Sequence, residues 1–432
     1  MVPVEMNEHD EELIVDESFI NDIVTNAQKL LSQRFGGSQK LTDIQLLSGS
    51  GIAVVIRARL VASPFIQQRS VILKHMPLTG LLFDHSAFLR EIVAYQFTTS
   101  LPEEARPGPV LLAHDVEKRL IVISDSGDGD TFAQLLDTKD DRVRLSILRD
   151  LGEAIGKMHA GTAGKEQDFA ILLNRMLLKH KNVQEIYKYR ERVILSSIPV
   201  GKSLLQRVGI QIPEVVEEYA RSAQHRLTAG HHRGFTPFDL SPDNIIVANK
   251  THFLDYESAG FRDCTFDIAC VIAGFPQYLS SRSISDEEAD VFIQAWLNEI
   301  SDTWPHTRDP QWLSNRIMSS LLGWALSSLT MMLFQVDPEW YIDDLDSVLA
   351  QEKKECDNEH DSETLCEFFS PITELIFGDP HDVPHDFLMI RQDIRETFEA
   401  IYRYAVRGRD LQFASVAQFS AEVIKFLDVK QT

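Results

Sequence analysis

The stretch "PFDLSPDN" (Pro237–Asn244) leads into a short apolar run, "IIV", and is followed a few residues later by "FLDYE" (Phe253–Glu257). Pro237 and Pro242 disfavour regular structure, so the sequence predicts a loop ahead of a strand. Two interpretations are open at this point. The stretch is either a site for a metal-bound nucleotide or an ordinary turn between strands.

A hairpin would bring the polar residues of this region together. Asn244 begins the apolar strand and Asp255 ends the next one, so the two strand ends are expected to meet. With Asp239 on the preceding loop, the shared edge carries two carboxylates and one amide oxygen, the hard oxygen ligands that Mg2+ prefers alongside phosphate. The alternative for each residue is a local Asx-turn.

The chain ahead of this region is expected to form a sheet. From about Leu41 to Ile123 the apolar periodicity is mostly that of strands, and one predicted helix, "SAFLREIVAYQFTTSL" (Ser86–Leu101), interrupts them. After the glycine-rich acidic connector "SDSGDGD" (Ser124–Asp130) the patterns become helical. The predicted domains are an N-terminal extension (1–40), a sheet lobe (41–127) and a mainly helical lobe (128–432).

Three features of the sheet lobe are compatible with phosphate binding. The glycine-rich loop Ser48, Gly49, Ser50 and Gly51 would let backbone N–H groups approach phosphate oxygens, although such a loop is also typical of a hairpin turn. Lys74 ends an apolar strand, where its ammonium needs an anion or must reach solvent. Glu91 lies on the predicted helix, where it is either a surface charge or the partner that orients Lys74.

Composition excludes several classes of protein. The formal net charge of −23 argues against a general nucleic-acid binder, which needs clustered Lys and Arg. Four cysteines in 432 residues are too few for a disulfide scaffold, and a zinc site at Cys356, His360 and Cys366 is a weak alternative to isolated thiols. No signal peptide is visible at the acidic N-terminus, so a cytoplasmic location is expected.

Three further segments stand out. The uncharged run Ile317–Phe334 is long enough to cross a bilayer. Its serines, and the fact that it stands alone in the sequence as such a run, favour a buried core helix. The run 174–192 is basic and the run 337–367 is acidic. We interpret both charged runs as solvated helix faces or loops.

The order of these motifs resembles that of the protein-kinase-like phosphotransferases, and most closely the aminoglycoside phosphotransferase and choline kinase family. The catalytic loop of that family usually reads H-G-D-L-H-x-x-N and its metal loop I-D-W-E, where this chain has "PFDLSPDN" and "LDYE". "GFRDCTFDIAC" (Gly260–Cys270) is similar to the family's G-x-x-D-x-x-x-D-L-A, with Asp263 and Asp267 at its aspartates. "LGEAIGKMHAGT" (Leu151–Thr162) resembles the helix before the family's insert.

The resemblance implies a fold class and an activity. The expected fold is a two-lobed, protein-kinase-like α+β fold, with a small antiparallel-sheet N-lobe and a large, mainly helical C-lobe. The expected activity is ATP- and Mg2+-dependent transfer of the γ-phosphoryl group to a hydroxyl of a small molecule. An aminoglycoside, a choline-like molecule or an amino sugar is the candidate acceptor, and the protein is expected to be a monomer or homodimer without nucleic-acid or membrane partners.

The resemblance also implies the role of each residue in the chemistry. Lys74 would contact the α- and β-phosphates and be held by Glu91. Asp239 would accept or orient the proton of the substrate hydroxyl. Asn244 and Asp255 would bind Mg2+.

Residues around the nucleotide receive roles by the same resemblance. Ser48–Gly51 would cover the phosphates, Ile72 would press on the adenine, and the backbone from Ser124 to Ser126 would bind the purine edge. Glu257 would assist the metal, and Asp267 is expected to brace the catalytic loop.

The chain departs from the family pattern where Pro237 and Phe238 replace His-Gly. This departure motivates one alternative function, a catalytically impaired pseudokinase that binds a nucleotide or metabolite and regulates a partner. A protein anchored in a membrane by Ile317–Phe334 is the second alternative.

Overall fold

The N-terminal lobe is built on a five-stranded antiparallel sheet with the strand order β1-β2-β3-β5-β4. The computed structural model describes residues 16–47, 52–79, 83–276, 278, 282–336, 377–378 and 385–428. The elements of the lobe are α1 Glu17–Phe35, β1 Leu41–Leu47, β2 Val54–Leu60, β3 Ser70–His75, α2 Asp84–Thr99, β4 Leu111–Asp115 and β5 Leu120–Ser124.

Alternation along the strands gives this sheet two buried faces. Val71 and Leu73 of β3 belong to one apolar cluster, which also contains the buried residues of α1. Ile72 and Lys74 point to the opposite face, where Ile121 of β5 packs into the larger cluster that includes α2. The side-chain period of two therefore places Lys74 on the face that carries α2.

Helix α1 covers the first of these faces. The Asp16 carboxylate caps the helix by accepting the Phe19 N–H at 2.8 Å, and Ile23, Val24 and Leu31 are buried against the sheet. Helix α1 lies within the predicted N-terminal extension (1–40), whereas α2 lies within the predicted sheet lobe (41–127). The described part of the predicted N-terminal extension belongs to the sheet lobe.

The C-terminal lobe is mainly helical, as expected. Its helices are α3 Phe132–Leu136, α4 Asp141–Thr162, α5 Glu166–Lys179, α6 Gln184–Arg207, α7 Glu214–Thr228, α8 Thr265–Ile272, α9 Asp286–Ile300, α10 Pro310–Val336, α11 His385–Arg407 and α12 Phe413–Asp428. Its short strands are β6 Asp130–Thr131, β7 Arg233–Thr236, β8 Ile245–Val247, β9 Thr251–Phe253 and β10 Gly260–Asp263. They form the sheets β6-β8-β9 and β7-β10, both antiparallel.

Close packing of α4 against α9 fixes the base of this lobe. A Cβ atom on Gly152 would lie 2.5 Å from the Phe292 carbonyl oxygen, so only glycine permits this approach. At the end of the same interface Arg144 Nε donates to Glu288 Oε1 at 2.6 Å, and both residues are buried. A buried charge is tolerated there because each ion meets its partner.

The uncharged run Ile317–Phe334 lies within α10, whose residues Ile317, Leu321 and Leu329 are buried in the core. The prediction of a core helix is confirmed. None of the helices that the structure describes combines the length and the apolarity needed to cross a bilayer. The weak zinc alternative and the whole acidic run 337–367 fall outside the described residues.

We expect Leu31→Ala to lower the free energy of unfolding by about 2–5 kcal/mol, because it empties a fully buried site beneath the sheet. Chemical denaturation measures the loss. The exposed Thr25 on the same helix is the control, and Thr25→Ala should change stability by no more than about 0.5 kcal/mol. Equal losses in the free energy of unfolding for the two substitutions would show that α1 adds nothing to the hydrophobic core of the lobe.

Candidate active site

Lys74 lies between two carboxylates that come from different parts of the chain. Its Nζ atom is 2.7 Å from Glu91 Oε1 on α2 and 3.3 Å from Asp255 Oδ1, which follows β9. The Glu91 side chain is only 1% exposed and the Lys74 side chain 13% exposed. The structure thus brings together the strand lysine, the helix glutamate and the loop aspartate.

The charge of Lys74 is stabilised by these neighbours. Burial lowers the pKa of its ammonium, but the Asp255 and Glu91 carboxylates outweigh burial and raise the pKa above its usual value. Lys74 is therefore a fixed cation at neutral pH. Such a cation, aimed at the space beside Asp255, suits an anionic ligand.

A hairpin holds Asn244 beside Asp255. Ile245 of β8 pairs with Phe253 of β9, and the Leu254 N–H donates to the Asn244 carbonyl at 2.8 Å. Asp255 has a left-handed backbone with φ 56°, a conformation that aspartate tolerates better than most residues. The hairpin predicted from the sequence is confirmed.

Helix α2 also contacts the backbone of Asp255. Tyr95, one turn after Glu91, forms a hydrogen bond with that backbone, and its ring centroid lies 4.8 Å from that of Tyr256. One helix face therefore holds Lys74 through Glu91 and the Asp255 loop through Tyr95. Sequence reasoning missed Tyr95, although its spacing from Glu91 places the two on one face.

Asp239 lies on the loop after β7 and faces the cleft. Its Oδ1 atom accepts the Ser241 N–H at 3.1 Å. Although the side chain opens to solvent, the surrounding protein partly desolvates it, and the Asp255 and Asp243 carboxylates add repulsion, which together raise the pKa to about 6. Asp239 is therefore mostly ionised at neutral pH, with a basicity well above that of an ordinary aspartate.

Phe238, at the position of the usual glycine, has a left-handed backbone with φ 65°. A bulky residue is strained in this conformation, which explains why glycine suits the position. The ring of Phe238 is held from two sides. The Arg262 guanidinium lies 3.9 Å from its centroid, and the Trp324 ring stacks at 5.2 Å.

A buried chain of hydrogen bonds supports this loop from below. Trp296 Nε1 donates to His159 Nδ1 at 3.0 Å, and His159 Nε2 lies 3.0 Å from Asp267 Oδ2. Because Trp can only donate, the proton of a neutral His159 is on Nε2 and points at Asp267. The Thr236 hydroxyl donates to Asp267 and accepts the Phe238 N–H at 2.9 Å. Asp267 thus reaches the catalytic loop through Thr236, which the sequence did not reveal.

Asp263 lies apart from the cleft. It is fully buried, and Arg226 Nη1 approaches its Oδ1 atom at 3.1 Å while Arg316 binds its other oxygen. Burial alone would raise the pKa of Asp263, but the two guanidinium groups lower it below its usual value. Asp263 therefore joins β10 to α7 and α10.

The predicted nucleotide-binding residues are only partly described. Ser48, Gly49, Ser50 and Gly51 lie outside the described residues, so their prediction stays untested. Ile72 lies on the same strand face as Lys74 and packs against the larger core. That position keeps Ile72 compatible with a contact to a planar base.

The segment between the lobes is bonded to the sheet by a hydrogen bond and an ion pair. The Ser124 N–H donates to the Val110 carbonyl at 2.9 Å, so this amide is engaged within the lobe, and a purine contact by the backbone from Ser124 to Ser126 stays a prediction. Arg57 of β2 binds the linker, with its Nε atom 3.0 Å from Asp125 Oδ2. No functional role was assigned to Arg57 from the sequence.

The oxygen donors in the cleft suit magnesium in the presence of phosphate. No cluster of three or more His, Cys, Asp or Glu side chains that could bind a metal alone occurs among the described residues. Mg2+ commonly takes one or two protein carboxylates and completes its shell with phosphate and water oxygens. Asn244 and Asp255 fit that role. Glu257 lies near them, and burial and the Asp255 charge raise its pKa.

Comparisons with known proteins agree with this arrangement. Residues 90–310 match the model of the phosphotransferase enzyme family. No curated protein matches the sequence significantly.

Among solved structures, the chain is similar to the ADP-bound aminoglycoside phosphotransferase APH(2'')-Ib, with 14% identity, 76% of this chain and 96% of that chain covered, and a TM-score of 0.41. It is also similar to the choline kinase LicA from Streptococcus pneumoniae, with 12% identity, coverages of 82% and 99%, and a TM-score of 0.40. For a choline kinase from Cryptosporidium parvum Iowa II the identity is 11%, the coverages are 78% and 99%, and the TM-score is 0.42.

The raised pKa of Asp239 predicts a pH-dependent effect of Asp239→Asn. The folded protein binds this proton more tightly than the unfolded chain does, so ionisation of Asp239 opposes folding above about pH 6. We expect the variant to unfold at a higher temperature than the wild type at about pH 8, and the difference to vanish near about pH 4. Thermal unfolding across this range is the measurement. The exposed Asp22 supplies the control, and identical pH dependence of Asp22→Asn and Asp239→Asn would contradict the interpretation.

The strained backbone of Phe238 predicts an inverted order of two variants. Phe238→Ala and Phe238→Gly both remove the ring, but only alanine keeps the left-handed strain. We expect the glycine variant to be more stable by about 1 kcal/mol in chemical denaturation. At the helical position Thr25 the order should reverse, with glycine less stable by about 1 kcal/mol. A less stable glycine variant at position 238 would refute the assigned conformation.

Proposed function

Because the chain belongs to the phosphotransferase enzyme family, we propose that it transfers the γ-phosphoryl group of ATP, with Mg2+, to a hydroxyl of a small molecule. The observation that carries the proposal is the contact of Lys74 with both Glu91 and Asp255, at 2.7 and 3.3 Å. This contact supports the proposal, because it keeps a fixed cation beside the expected position of the phosphates. Phosphoryl transfer needs mainly positioning and electrostatic stabilisation, which this arrangement supplies.

Lys74 and Glu91 bind and orient the nucleotide in this proposal. The ammonium of Lys74 contacts the α- and β-phosphates, and the buried Glu91 carboxylate keeps it from swinging away. Ile72 on the same strand contacts the adenine, and Ser126 offers backbone groups to the purine edge.

Asn244 and Asp255 would hold Mg2+, with assistance from Glu257. When bound, the metal supplies neutralisation of the phosphate charge and alignment of the β- and γ-phosphates. The Leu254–Asn244 hydrogen bond keeps the two ligands at one end of the hairpin. The left-handed turn at Asp255 aims its carboxylate back toward Lys74.

Asp239 accepts the proton of the acceptor hydroxyl. Its Oδ1 atom is held by the Ser241 N–H, which leaves Oδ2 for the acceptor. A pKa of about 6 makes it ionised at neutral pH and a better base than an ordinary aspartate. The proton moves from the hydroxyl oxygen to the carboxylate as that oxygen bonds to the γ-phosphorus, and the bond from that phosphorus to the β,γ-bridging oxygen breaks to release ADP.

The charges around this position favour a cationic acceptor. Asp239, Asp243 and Glu257 contribute carboxylates to one side of the cleft, and the chain carries a net charge of −23. We therefore propose a hydroxylated amine such as an aminoglycoside, a choline-like molecule or an amino sugar. Cytoplasmic action as a monomer or homodimer remains part of the proposal.

A pseudokinase is the alternative motivated by Pro237 and Phe238. The contacts of Phe238 with Arg262 and Trp324 weaken this alternative, because they hold the loop in the conformation that glycine would otherwise provide. Asp239, Asn244 and Asp255 are all present. The departure therefore changes how the loop is supported and leaves its polar groups in place.

Thermal unfolding with ATP and Mg2+, and with ATP and EDTA, tests the proposal. Nucleotide at about a hundred times its dissociation constant should stabilise the fold by about 2.7 kcal/mol, and Asp255→Asn should remove the part that depends on Mg2+. Asp239→Asn should keep the stabilisation but reduce kcat with a responsive hydroxylated amine by about 10²–10⁴-fold. Asp22→Asn is the control for both assays.

Absence of stabilisation by nucleotide in the wild type would refute the proposal. Stabilisation by nucleotide without phosphoryl transfer to any hydroxylated amine tested would favour the pseudokinase. In that case Asp239→Asn should also leave the stabilisation by nucleotide unchanged.

A further inference from the structure

Three consecutive backbone carbonyls after Asp255 each accept a hydrogen bond from a different arginine. The bonds are Arg190 Nη1 to Glu257 O at 2.7 Å, Arg262 Nη1 to Ser258 O at 3.0 Å and Arg90 Nη1 to Ala259 O at 2.6 Å. Arg190 Nη2 also donates to the Ser258 hydroxyl at 3.1 Å. The segment that follows the proposed metal ligand is thus held along its whole length.

The three arginines come from separate elements. Arg90 precedes Glu91 on α2, Arg190 lies on α6 in the C-terminal lobe, and Arg262 lies on β10. They therefore tie the segment to the helix that orients Lys74, to the long α6 helix and to the strand that pairs with β7. Shifting the segment would break contacts with all three.

Burying these cations opposes folding. Burial lowers the pKa of Arg262 to about 10, with a further contribution from the Arg90 charge, and burial also lowers the pKa of Arg190. Glu191 pairs with Arg90 at the edge of the group. Gathering like charges around backbone carbonyls opposes folding. The presence of the three arginines therefore indicates that the position of this segment matters.

Arg262 also connects the segment to the catalytic loop. The guanidinium that donates to Ser258 lies over the ring of Phe238, 3.9 Å from its centroid. Phe238 immediately precedes Asp239. One side chain therefore spans the two loops that carry the proposed base and the proposed metal ligand.

We propose that Arg90, Arg190 and Arg262 form a clamp that fixes the orientation of Asp255, with Arg190 as a positioning residue through which α6 controls metal-dependent nucleotide binding. The proposal rests on the proposed function, since it assigns Asp255 to the metal. Within the basic run 174–192, interpreted as a solvated face, Arg175, Lys179, Lys181, Lys188 and Arg192 are exposed as expected, and Arg190 departs from that interpretation. Arg190 turns inward, whereas Lys188 on the same helix is exposed and pairs with Glu185.

Arg190 is suited to the test because its hydrogen bonds go to the Glu257 carbonyl and to the Ser258 hydroxyl, beside Asp255 and not to Asp255 itself. The probe is an ATP analogue with a β,γ-imido bridge, which cannot transfer its γ-phosphoryl group. Its dissociation constant is measured by calorimetry with Mg2+ and with EDTA for the full-length wild type, Arg190→Ala and Lys188→Ala. Both variants lose one positive charge from α6, but only the first loses the clamp.

We expect Arg190→Ala to weaken binding in Mg2+ by about 10–100-fold, the usual effect of losing a residue that orients a metal ligand, and to leave binding in EDTA close to that of the wild type. Lys188→Ala should match the wild type in both. Arg190→Lys, which keeps the charge and one donor, should recover part of the loss. A merely structural role would weaken binding equally with and without the metal.

The outcomes separate the two proposals. Wild-type binding that strengthens with Mg2+, together with unchanged binding by Arg190→Ala, would overturn the clamp and leave the proposed function standing. Wild-type binding that is absent or indifferent to Mg2+ would overturn the proposed function and the clamp with it. If Arg190→Ala does not fold, Arg190→Lys decides the question, and wild-type affinity in Mg2+ for that variant would overturn the clamp.

Discussion

The ion contacts of Lys74 are the interaction on which the cleft depends. They join β3 of the sheet, α2 and the loop after β9, so a buried cation links the two lobes. Removing one partner of such a group leaves a charge that the interior cannot solvate, at a cost of about 3–5 kcal/mol. The fold therefore stabilises the ammonium, and the ammonium in turn fixes where an anion can bind.

The loop that carries Asp239 obeys a different constraint. Its backbone is strained at Phe238, and strain persists only where the surroundings determine the conformation. Stacking against Trp324 and the network from Trp296 through His159 both supply that support. Aromatic packing thus replaces the conformational freedom of glycine.

Local patterns predicted much of this site. The pairing of Lys74 with Glu91 could be predicted, because the strand and the helix that carry them follow each other in the chain. The short segment between them leaves few ways to arrange the two elements. The left-handed backbone of Phe238 could not be predicted, since its φ angle depends on side chains distant in sequence. The inward turn of Arg190 and the bond between His159 and a tryptophan on α9 are likewise tertiary features. Helix α1 was not predicted, because no element was assigned to residues 1–40 from the sequence.

Contacts restrict the linker between the lobes at both of its ends. Arg57 holds Asp125 and the Gly127 carbonyl to the sheet, whereas Gly129 packs so closely on β8 that a Cβ atom would lie 2.5 Å from the Val247 carbonyl oxygen. Arg57 Nη1 also lies 2.6 Å from Asp128 Oδ1, so contacts hold the linker on both sides of Gly127 and leave little room for a hinge there. The width of the cleft is therefore set by the linker as well as by the ion contacts of Lys74.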